Sequence, residues 1–436
     1  MNVVTRIPPS PTGHLHIGTV RTALFNYLFA RHHGGKFIFR SEDTDRARSK
    51  KEFEEEIIEG LHWLGLTHDG EVTRQSENVA RHSELLKKII AEDSAYISKE
   101  ESKNEPGKMV EVVRLRNEGK TISFTDLIRG VITFDTTELG DFVIARSVDD
   151  PLYHFAVVVD DMDAGVTHVI RGEDHISNTP RQILIQEALG APRPQYGHLP
   201  LILASDRSKM SKRHGAVSLL EYREQGFLPA GILNYLALLG WSAKDDREEY
   251  TLAELVEAFD ISQVHKSGAV FDVVKFKSVN QRHMRNIPAD AFASMLEHDA
   301  LVHHPKRDAI VRLLQERAQT LGEAKEMLSG ELSCLFSDPK PEKSELILKG
   351  DIDTTKRHLE ALQPLILAFG EDFTTDTAKD ALMPYADKEG RAEVLWPLRY
   401  ALSAKQKSPD PFTLISILGK QESVSRIQDA LAILEG

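Results

Sequence analysis

The chain has 436 residues, and at about 150 residues per domain this length predicts several domains and excludes a small binding module. Its composition, 41% hydrophobic and 28% charged, excludes a wholly disordered chain and a collagen-like fibre. The formal net charge of −13 excludes a uniformly basic surface, although a local cluster such as residues 266–285 can still contact phosphates. The single cysteine, Cys334, excludes an internal disulfide and a metal site built from several thiolates.

The first elements along the chain predict a βαβ unit. Residues 2–6 are typical of a strand, and the proline-rich segment 8–13 must be a loop. Apolar residues at helical spacing predict a helix over 17–31, followed by a glycine turn and a strand over 36–40. Because such units are right-handed and parallel, we expect a phosphate-handling α/β domain.

A second half of the same sheet is predicted after residue 152. Residues 165–171 and 198–204 are typical of strands, and a helix is expected to start near Thr179, with Pro180 in its first turn and Gly190 past its end. Between the halves, short alternating runs predict an insertion with antiparallel strands, and beyond residue 218 the chain becomes helical.

These elements predict an α/β fold with a doubly wound parallel sheet, an α+β insertion and an all-α C-terminal region. The expected domains are residues 1–75 with 153–217, which contain the parallel sheet, then 76–152 (the insertion), 218–286 and 287–436 (helical).

Two loops contain residues that indicate a chemical function. The loop of residues 13–19 joins a strand to a helix, which places backbone N–H groups and histidines beside an anion site. It is not a P-loop, because Thr19 stands where that motif needs lysine. The second loop, residues 206–215, is basic and follows a strand, and its lysines can neutralise charge that develops on a pyrophosphate leaving group. Taken singly, the first loop could be a tight turn with surface histidines and the second a solvated basic face.

Together the two loops resemble the signature motifs of class I aminoacyl-tRNA synthetases. His16-Ile17-Gly18-Thr19 is similar to the HIGH motif, and Lys209-Met210-Ser211-Lys212-Arg213 is similar to the KMSKS motif. The surrounding stretches resemble the glutamyl-tRNA synthetase branch, of bacterial type: Arg6-Ile7-Pro8-Pro9-Ser10-Pro11-Thr12-Gly13, Phe39-Arg40-Ser41-Glu42-Asp43-Thr44-Asp45, Val157-Val158-Val159-Asp160-Asp161 and Val169-Ile170-Arg171-Gly172-Glu173-Asp174-His175. The likeness is strong over residues 1–95 and 120–285 and thinner afterwards.

The resemblance implies roles for named residues. The implied catalytic residues are His16, Lys209 and Lys212. ATP would be bound by His16, Gly18, Thr19, Asp174, Lys209, Met210, Ser211, Lys212 and Arg213. Glutamate would be bound by Arg6, Ser10, Glu42, Tyr153 and Arg171, with the two arginines on the carboxylates and Glu42 on the α-amino group. The alternative is that Glu42 and the arginines form structural ion pairs. Glu173 and Asp174 are either ATP-ribose or orienting contacts, or acids that structure their loop.

The resemblance also implies the reaction and its partners. Glutamate would be activated with ATP and Mg²⁺ and then transferred to the terminal ribose of tRNA(Glu), with tRNA(Gln) as a second acceptor to test. Residues 1–75 with 153–217 would be a Rossmann-like catalytic domain, and the insertion would hold the acceptor end. Residues 218–286 would contact the tRNA stem, and residues 287–436 would read the anticodon. No zinc is expected, because residues 95–121 lack the cysteines of many bacterial relatives. No other metal ligands are expected. The sequence contains no long apolar run, so we expect a cytoplasmic protein, and by family a monomer.

Three alternatives remain open at this point. A nucleotidyltransferase with a HIGH-like motif would lack the glutamate-pocket residues and would be shorter. The small relative that glutamylates a modified tRNA nucleoside would lack the C-terminal half. A catalytically inactive tRNA-binding paralogue should have lost His16 or the lysines of the basic loop, and this chain keeps them.

Overall fold

The computed structural model describes residues 2–101, 105, 107–208, 210, 218–244 and 247–436. The chain forms two compact units, Met1–His283 and Met284–Gly436. Among the described residues, no helix is long and apolar enough to cross a membrane.

The first unit is a mixed α/β structure. Its strands are β1 (Val4–Ile7), β2 (Lys36–Ser41), β3 (Thr73–Arg74), β4 (Ala95–Glu101), β5 (Met109–Leu115), β6 (Thr121–Asp126), β7 (Gly130–Asp135), β8 (Phe142–Ser147), β9 (Asp150–Pro151), β10 (His168–Gly172), β11 (Gln195–Leu199), β12 (Ile202–Leu203) and β13 (Ala269–Val270). Its helices are α1 (Ile17–His32), α2 (Lys51–Trp63), α3 (Val79–Ala91), α4 (Tyr153–Asp163), α5 (Thr179–Leu189), α6 (Leu219–Glu224), α7 (Pro229–Leu238), α8 (Leu252–Ala258) and α9 (Val273–Arg285), whose last two residues fall in the second unit.

The predicted βαβ unit is confirmed. β1 and β2 pair in parallel with Val4 opposite Lys36, and β2 pairs in parallel with β3. α1 buries Val20, Leu24 and Leu28 beneath this sheet, which is the face that their helical spacing predicts. The segment 8–16 between β1 and α1 is outside any helix, as its prolines require.

The second half of the sheet lies beside the first. Val4 donates to Thr167 Oγ1 and accepts from the Thr167 backbone N–H at 3.0 Å, so β1 and β10 are neighbours. β10 and β11 pair in parallel over residues 168–172 and 195–199. α5 begins at Thr179 with Pro180 in its first turn and ends at Leu189, and Gly190 follows in the left-handed conformation (φ 68°), as predicted. The carboxyl ends of these parallel strands therefore meet at one edge, where ligands bind in such sheets.

The predicted strand over 198–204 is wrong in one respect. β11 ends at Leu199, and a separate two-residue strand, β12, pairs in parallel with β13 instead. Pro200 lies at the break, and because proline has no N–H to donate, the ladder ends there and the chain leaves the sheet.

The insertion contains the predicted antiparallel strands in two places. β4, β5, β8 and β9 form one antiparallel sheet, whereas β6 and β7 form a hairpin that extends the β10–β11 sheet through a parallel bridge between Asp126 and Tyr196. Insertion residues such as Leu86 and Ile144 share one buried cluster with Phe155 and Ile183 of the second half. The insertion therefore has part of its core in common with the catalytic sheet, and the domain boundaries at residues 76, 153 and 218 stay a prediction.

The second unit is helical, as predicted. Its helices are α10 (Ala289–Met295), α11 (Asp299–Val302), α12 (Arg307–Arg317), α13 (Leu321–Ser329), α14 (Lys343–Leu346), α15 (Ile352–Leu367), α16 (Thr375–Glu389), α17 (Arg391–Ser403) and α18 (Pro411–Glu435). Gly419, with φ 83°, bends α18. Buried Arg426 donates to the carbonyl oxygens of Cys334 (2.8 Å) and Leu402 (2.7 Å), which satisfies helix-end acceptors inside this core.

Candidate active site

A buried ion cluster lies at the carboxyl edge of β1 and β2. Asp161 of α4 accepts from Arg6 Nε at 3.2 Å and from Arg40 Nη1 at 2.5 Å. Burial alone would raise the pKa of Asp161, but Arg40 and Arg6 outweigh it and the pKa is lowered. Arg6 Nη1 is buried and has no hydrogen-bond partner among the described residues. Arg6 can therefore still donate to a ligand.

Arg40 and Asp161 belong to stretches that the sequence analysis quoted without giving them a role. Asp160 beside them contacts His82 Nε2 at 2.7 Å and accepts from Gln75 Nε2 at 2.9 Å and from Asn78 Nδ2 at 2.7 Å. These partners lie within residues 75–82, where the first catalytic segment meets the insertion. No sequence motif reveals such contacts, because they join residues about 80 positions apart.

Glu42 and Tyr153 lie near the two glutamate-site arginines, since the charges of Glu42, Arg171 and Arg6 all act on the Tyr153 hydroxyl. The Glu42 N–H donates to the Pro9 carbonyl oxygen at 2.9 Å, and its carboxylate lies 3.3 Å from Arg40 Nη2. Burial raises the pKa of Glu42, against the opposing charges of Arg40 and Arg6. Burial and then the charge of Glu42 raise the pKa of Tyr153 to about 12, so its hydroxyl stays a donor. Ser10 follows Pro9 and is exposed.

Arg171 of β10 is held by neutral groups. Its Nη1 donates to Gln182 Oε1 and its Nη2 to Thr179 Oγ1, both at 2.8 Å, and its Nε donates to His198 Nε2 at 3.2 Å. Within the described part of the chain, no carboxylate lies at ion-pair distance from it. Burial lowers the pKa of this guanidinium, and a buried cation without a counter-charge favours an anionic ligand.

The predicted ATP residues of the first loop lie at the N-terminus of α1. His16 caps the helix: its Nδ1 accepts from the Thr19 N–H at 3.3 Å, and its Nε2 lies 3.0 Å from Thr19 Oγ1. A Cβ at Gly18 would come within 3.0 Å of the His16 ring, so glycine lets the ring fold over the turn. The first turn itself contains no acid, although Glu56 accepts from the Leu15 N–H at 3.3 Å just before the helix begins.

The basic loop is described only in part. The Ala204 N–H donates to the Ser208 carbonyl oxygen at 2.8 Å, and Arg207 adopts a positive φ of 65°. Met210 donates its N–H to the Ile202 carbonyl oxygen at 3.1 Å and packs against the main core. The predicted residues Lys209, Ser211, Lys212 and Arg213 lie outside the described residues.

The acids after β10 have different surroundings. Glu173 accepts from the Leu201 N–H at 2.7 Å and pairs with Arg129, which supports the structural interpretation of this residue. Asp174 folds back over Gly172, where a Cβ would lie 2.5 Å from its Oδ1. Only glycine fits under that carboxylate without a shift.

The basic cluster of residues 266–285 is partly neutralised. Glu248 accepts from Lys275 at 3.3 Å and from Arg282 at 3.0 Å, which the sequence analysis did not anticipate because Glu248 lies outside the cluster in sequence. Exposed Val273 and Val274 lie on the same helix.

Comparisons with known proteins agree with this geometry. A family model described as tRNA synthetases class I (E and Q), catalytic domain, matches residues 2–109 and 97–278, and an anticodon binding domain model matches residues 288–431. Glutamate–tRNA ligase of Oleidesulfovibrio alaskensis is 39% identical, with 99% of each chain covered. The chain belongs to the glutamate–tRNA ligase family of class I tRNA synthetases.

Further relatives cover the chain equally well. Glutamate–tRNA ligase 1 of Caldanaerobacter subterraneus subsp. tengcongensis is 37% identical and matches over 99% of this chain and 98% of its own length. A crystal structure of a glutamate tRNA ligase from Elizabethkingia meningosepticum, in complex with its amino acid, is 30% identical and superposes with a TM-score of 0.86 over all of both chains. The predicted fold class is thus confirmed for the catalytic and the helical parts.

Proposed function

We propose that the protein attaches L-glutamate to tRNA(Glu) in two steps. Glutamate is first activated by ATP to glutamyl-adenylate with release of pyrophosphate, and the glutamyl group then passes to the 3′-terminal ribose of the tRNA. The observation that carries this proposal is the grouping of Arg6, Glu42 and Arg171 around Tyr153, whose pKa all three charges influence. This group contains two buried guanidinium groups, one of them without a carboxylate partner among the described residues, beside the mostly buried carboxylate of Glu42.

The pocket matches the charges of free glutamate. Arg6 and Arg171 pair with the two carboxylates of the substrate, and Glu42 pairs with its ammonium group, because each desolvated charge needs an opposite partner. Tyr153 donates its hydroxyl, and Ser10 closes the pocket from the loop. Arg40 and Asp161 do not bind the substrate in this proposal but hold Arg6 and Glu42 in place.

ATP is placed at the N-terminus of α1. Backbone N–H groups and the His16 ring bind its phosphates, with Gly18 and Thr19 shaping the turn. Asp174, just after β10, and Met210, within the second loop, are the further ATP contacts in this proposal. Lys209, Ser211, Lys212 and Arg213 are assigned to the leaving pyrophosphate by family resemblance alone. No protein nucleophile is needed, so the protein acts by positioning and charge compensation.

Mg²⁺ remains a prediction. No group of three or more His, Cys, Asp or Glu residues in the described ranges could hold a metal ion. Mg²⁺ commonly binds through substrate phosphates and water, so it would arrive with ATP, and we derive no step through it. Zinc is likewise not expected in the cysteine-free insertion.

The remaining partners are assigned by domain. The insertion binds the acceptor end, residues 218–286 contact the stem, and the second unit reads the anticodon. Acceptance of tRNA(Gln), a monomeric state and a cytoplasmic location are predictions that stand on family resemblance.

Transfer of labelled glutamate to purified tRNA, with ATP and Mg²⁺, tests the proposal. Parallel reactions contain tRNA(Glu), tRNA(Gln) or neither, and glutamine replaces glutamate as a control. Charging of tRNA(Glu) alone identifies a discriminating ligase, and charging of both tRNAs identifies a non-discriminating one. Charging of neither would contradict the proposal and favour an inactive paralogue or glutamyl transfer to a modified tRNA nucleoside.

A further inference from the structure

The turn that joins β6 to β7, residues 126–130, is embedded in the catalytic sheet. The Leu127 N–H donates to the Tyr196 carbonyl oxygen of β11 at 2.8 Å. Asp126 Oδ1 accepts from the N–H groups of Ile128 and Arg129, both at 2.9 Å, and from the His198 N–H at 3.3 Å. This 126–130 turn belongs to the insertion, yet it lies against the strand that supports the glutamate pocket.

Asp126 also fixes the ring of His198. Both side chains are fully buried, and Asp126 Oδ2 lies 2.6 Å from His198 Nδ1. On the other side of the ring, Nε2 lies 3.2 Å from Arg171 Nε and 3.2 Å from Thr179 Oγ1. An arginine Nε–H can only donate, so Nε2 must accept and the ring proton must be on Nδ1, where Asp126 accepts it. Burial lowers the pKa of His198, which agrees with a neutral ring.

The neutral ring has a consequence for Arg171. All three acceptors on this guanidinium, His198, Thr179 and Gln182, are uncharged, so they orient it without neutralising it. A carboxylate in place of His198 would hold Arg171 more strongly but would compete with the substrate for it. A protonated imidazole would repel it.

We propose that Asp126 and His198 are positioning residues for glutamate binding: Asp126 holds the His198 tautomer whose Nε2 orients the uncompensated Arg171. This rests on the proposed function, because it needs Arg171 to bind a substrate carboxylate. Neither residue touches the substrate in this scheme.

A second set of contacts holds the same strand end. Arg129 Nε donates to the His198 carbonyl oxygen at 3.2 Å, and its guanidinium pairs with Glu173, which accepts from the Leu201 N–H at 2.7 Å. The backbone on both sides of Leu199 is therefore tied to the 126–130 turn. Residues of the insertion thus hold the end of β11, which lies beside Arg171 of the proposed glutamate site.

The test compares variants of the full-length protein. Asp126→Asn keeps the shape, but an amide can donate to Nδ1 and so favour the wrong tautomer, whose Nε2–H would face the Arg171 donor. His198→Leu removes the acceptor, whereas His198→Gln can offer Oε1 to Arg171 and an amide N–H to Asp126. Arg193→Ala is the matched control, because Arg193 ties the same region to Ser123 and Glu187 without reaching Arg171.

We expect Asp126→Asn and His198→Leu to raise the KM and the calorimetric Kd for L-glutamate about tenfold or more, as for loss of a charge-assisted hydrogen bond. The KM for ATP and kcat at saturating glutamate should change less than about twofold, because the interaction is made equally in ground and transition states. His198→Gln should retain most of the affinity, and Arg193→Ala all of it.

The competing outcomes are distinct. An unchanged glutamate Kd in a folded His198→Leu or Asp126→Asn protein overturns the positioning role. A second outcome also overturns the positioning role: glutamate affinity and ATP affinity fall equally, His198→Gln shows the same losses, and the Tm is lower. That pattern indicates a merely structural role. If Asp126→Asn does not fold, the two His198 variants decide the question. Wild-type protein that binds no glutamate overturns the proposed function itself, and the positioning role with it.

Discussion

At the scale of single residues, the site depends on which buried charges are paired within the protein. Arg6 and Arg40 share Asp161, whereas Arg171 has only uncharged partners among the described residues. A paired arginine is stabilised before the ligand arrives, but an unpaired one gains its partner on binding. We therefore expect Arg171 to contribute most to glutamate affinity and Asp161 most to stability.

The first prediction concerns Arg171→Ala. It would leave a substrate carboxylate desolvated and unpaired, which costs about 3 kcal/mol or roughly 100-fold in affinity. The KM and Kd for glutamate, measured by charging assays and calorimetry, should rise accordingly, with little change in the KM for ATP. Arg31→Ala is the control, because Arg31 binds Asp69 near the opposite end of α1. Equal glutamate affinity for both variants would place the pocket elsewhere.

The second prediction concerns Asp161→Asn. The substitution leaves two buried arginines without their shared charge, and breaking such a group costs about 3 kcal/mol or more in the free energy of unfolding. Denaturant unfolding measures this. Asp163→Asn, two residues along, removes an exposed pair with Arg81 and should cost less than about 1 kcal/mol. Equal losses for the two variants would contradict the role given to the buried cluster.

The same carboxylate predicts a pH dependence of stability. Its pKa is lower in the folded protein than the value of about 3.9 in an unfolded chain. Its contribution is therefore present above the unfolded value and is lost as the pH falls through the lower folded value. The difference in unfolding free energy between wild type and Asp161→Asn should shrink on acidification in that range, and a constant difference would contradict this.

At the scale of elements, the N-terminus of α1 has a geometry that depends on one glycine. A Cβ at Gly18 would press on the His16 ring at 3.0 Å, while alanine would improve the helix by up to about 1 kcal/mol. Substitution of Gly18 by alanine should therefore change catalytic activity without lowering the stability of the fold.

We therefore predict that Gly18→Ala lowers the rate of glutamyl-adenylate formation about tenfold, because the displaced ring loses its place on the phosphates. Pyrophosphate exchange measures the rate, and thermal unfolding should show no loss of stability. Gly13→Ala in the same loop meets open space and is the control. An unchanged exchange rate for Gly18→Ala would show that the orientation of the His16 ring does not contribute to adenylate formation.

At the scale of the whole molecule, the proposed chemistry and the proposed anticodon reading fall in different compact units. Every predicted glutamate-binding residue belongs to Met1–His283, and the anticodon binding model matches residues within Met284–Gly436. We expect a chain of residues 1–286, which ends after α9, to keep its glutamate Kd within about threefold. Its kcat/KM for tRNA charging should fall at least about 100-fold, since phosphate contacts of the second unit are lost.

Calorimetry with glutamate and charging of tRNA(Glu) measure the two effects, and circular dichroism checks that the shortened chain is folded. A folded chain that binds no glutamate would show that the second unit contributes to the pocket. Undiminished charging would contradict the assignment of tRNA binding to that unit.

The sequence alone determined the local elements and the family motifs. Proline at 8, 9 and 11, glycine at 34, 35 and 190, and the apolar spacing in α1 act within a few residues of the chain, so they predict loops, helix ends and the first βαβ unit directly. The HIGH-like and KMSKS-like loops and the arginines on β1 and β10 were also visible, because each is a local pattern.

The tertiary structure decided which of these residues work together. The Arg40–Asp161 pair, the Asp126–His198–Arg171 chain and the Glu248 contacts join positions 27 to 121 residues apart, and pairing at such distances leaves no local signal. The joining of β6 to the catalytic sheet was likewise decided by which strands were available as partners. The break at Pro200 is different, because the missing N–H of proline is a local feature of the sequence. A local sequence pattern specifies which secondary structure a segment can adopt. Burial and hydrogen bonding across the whole chain select which other segment it packs against or pairs with.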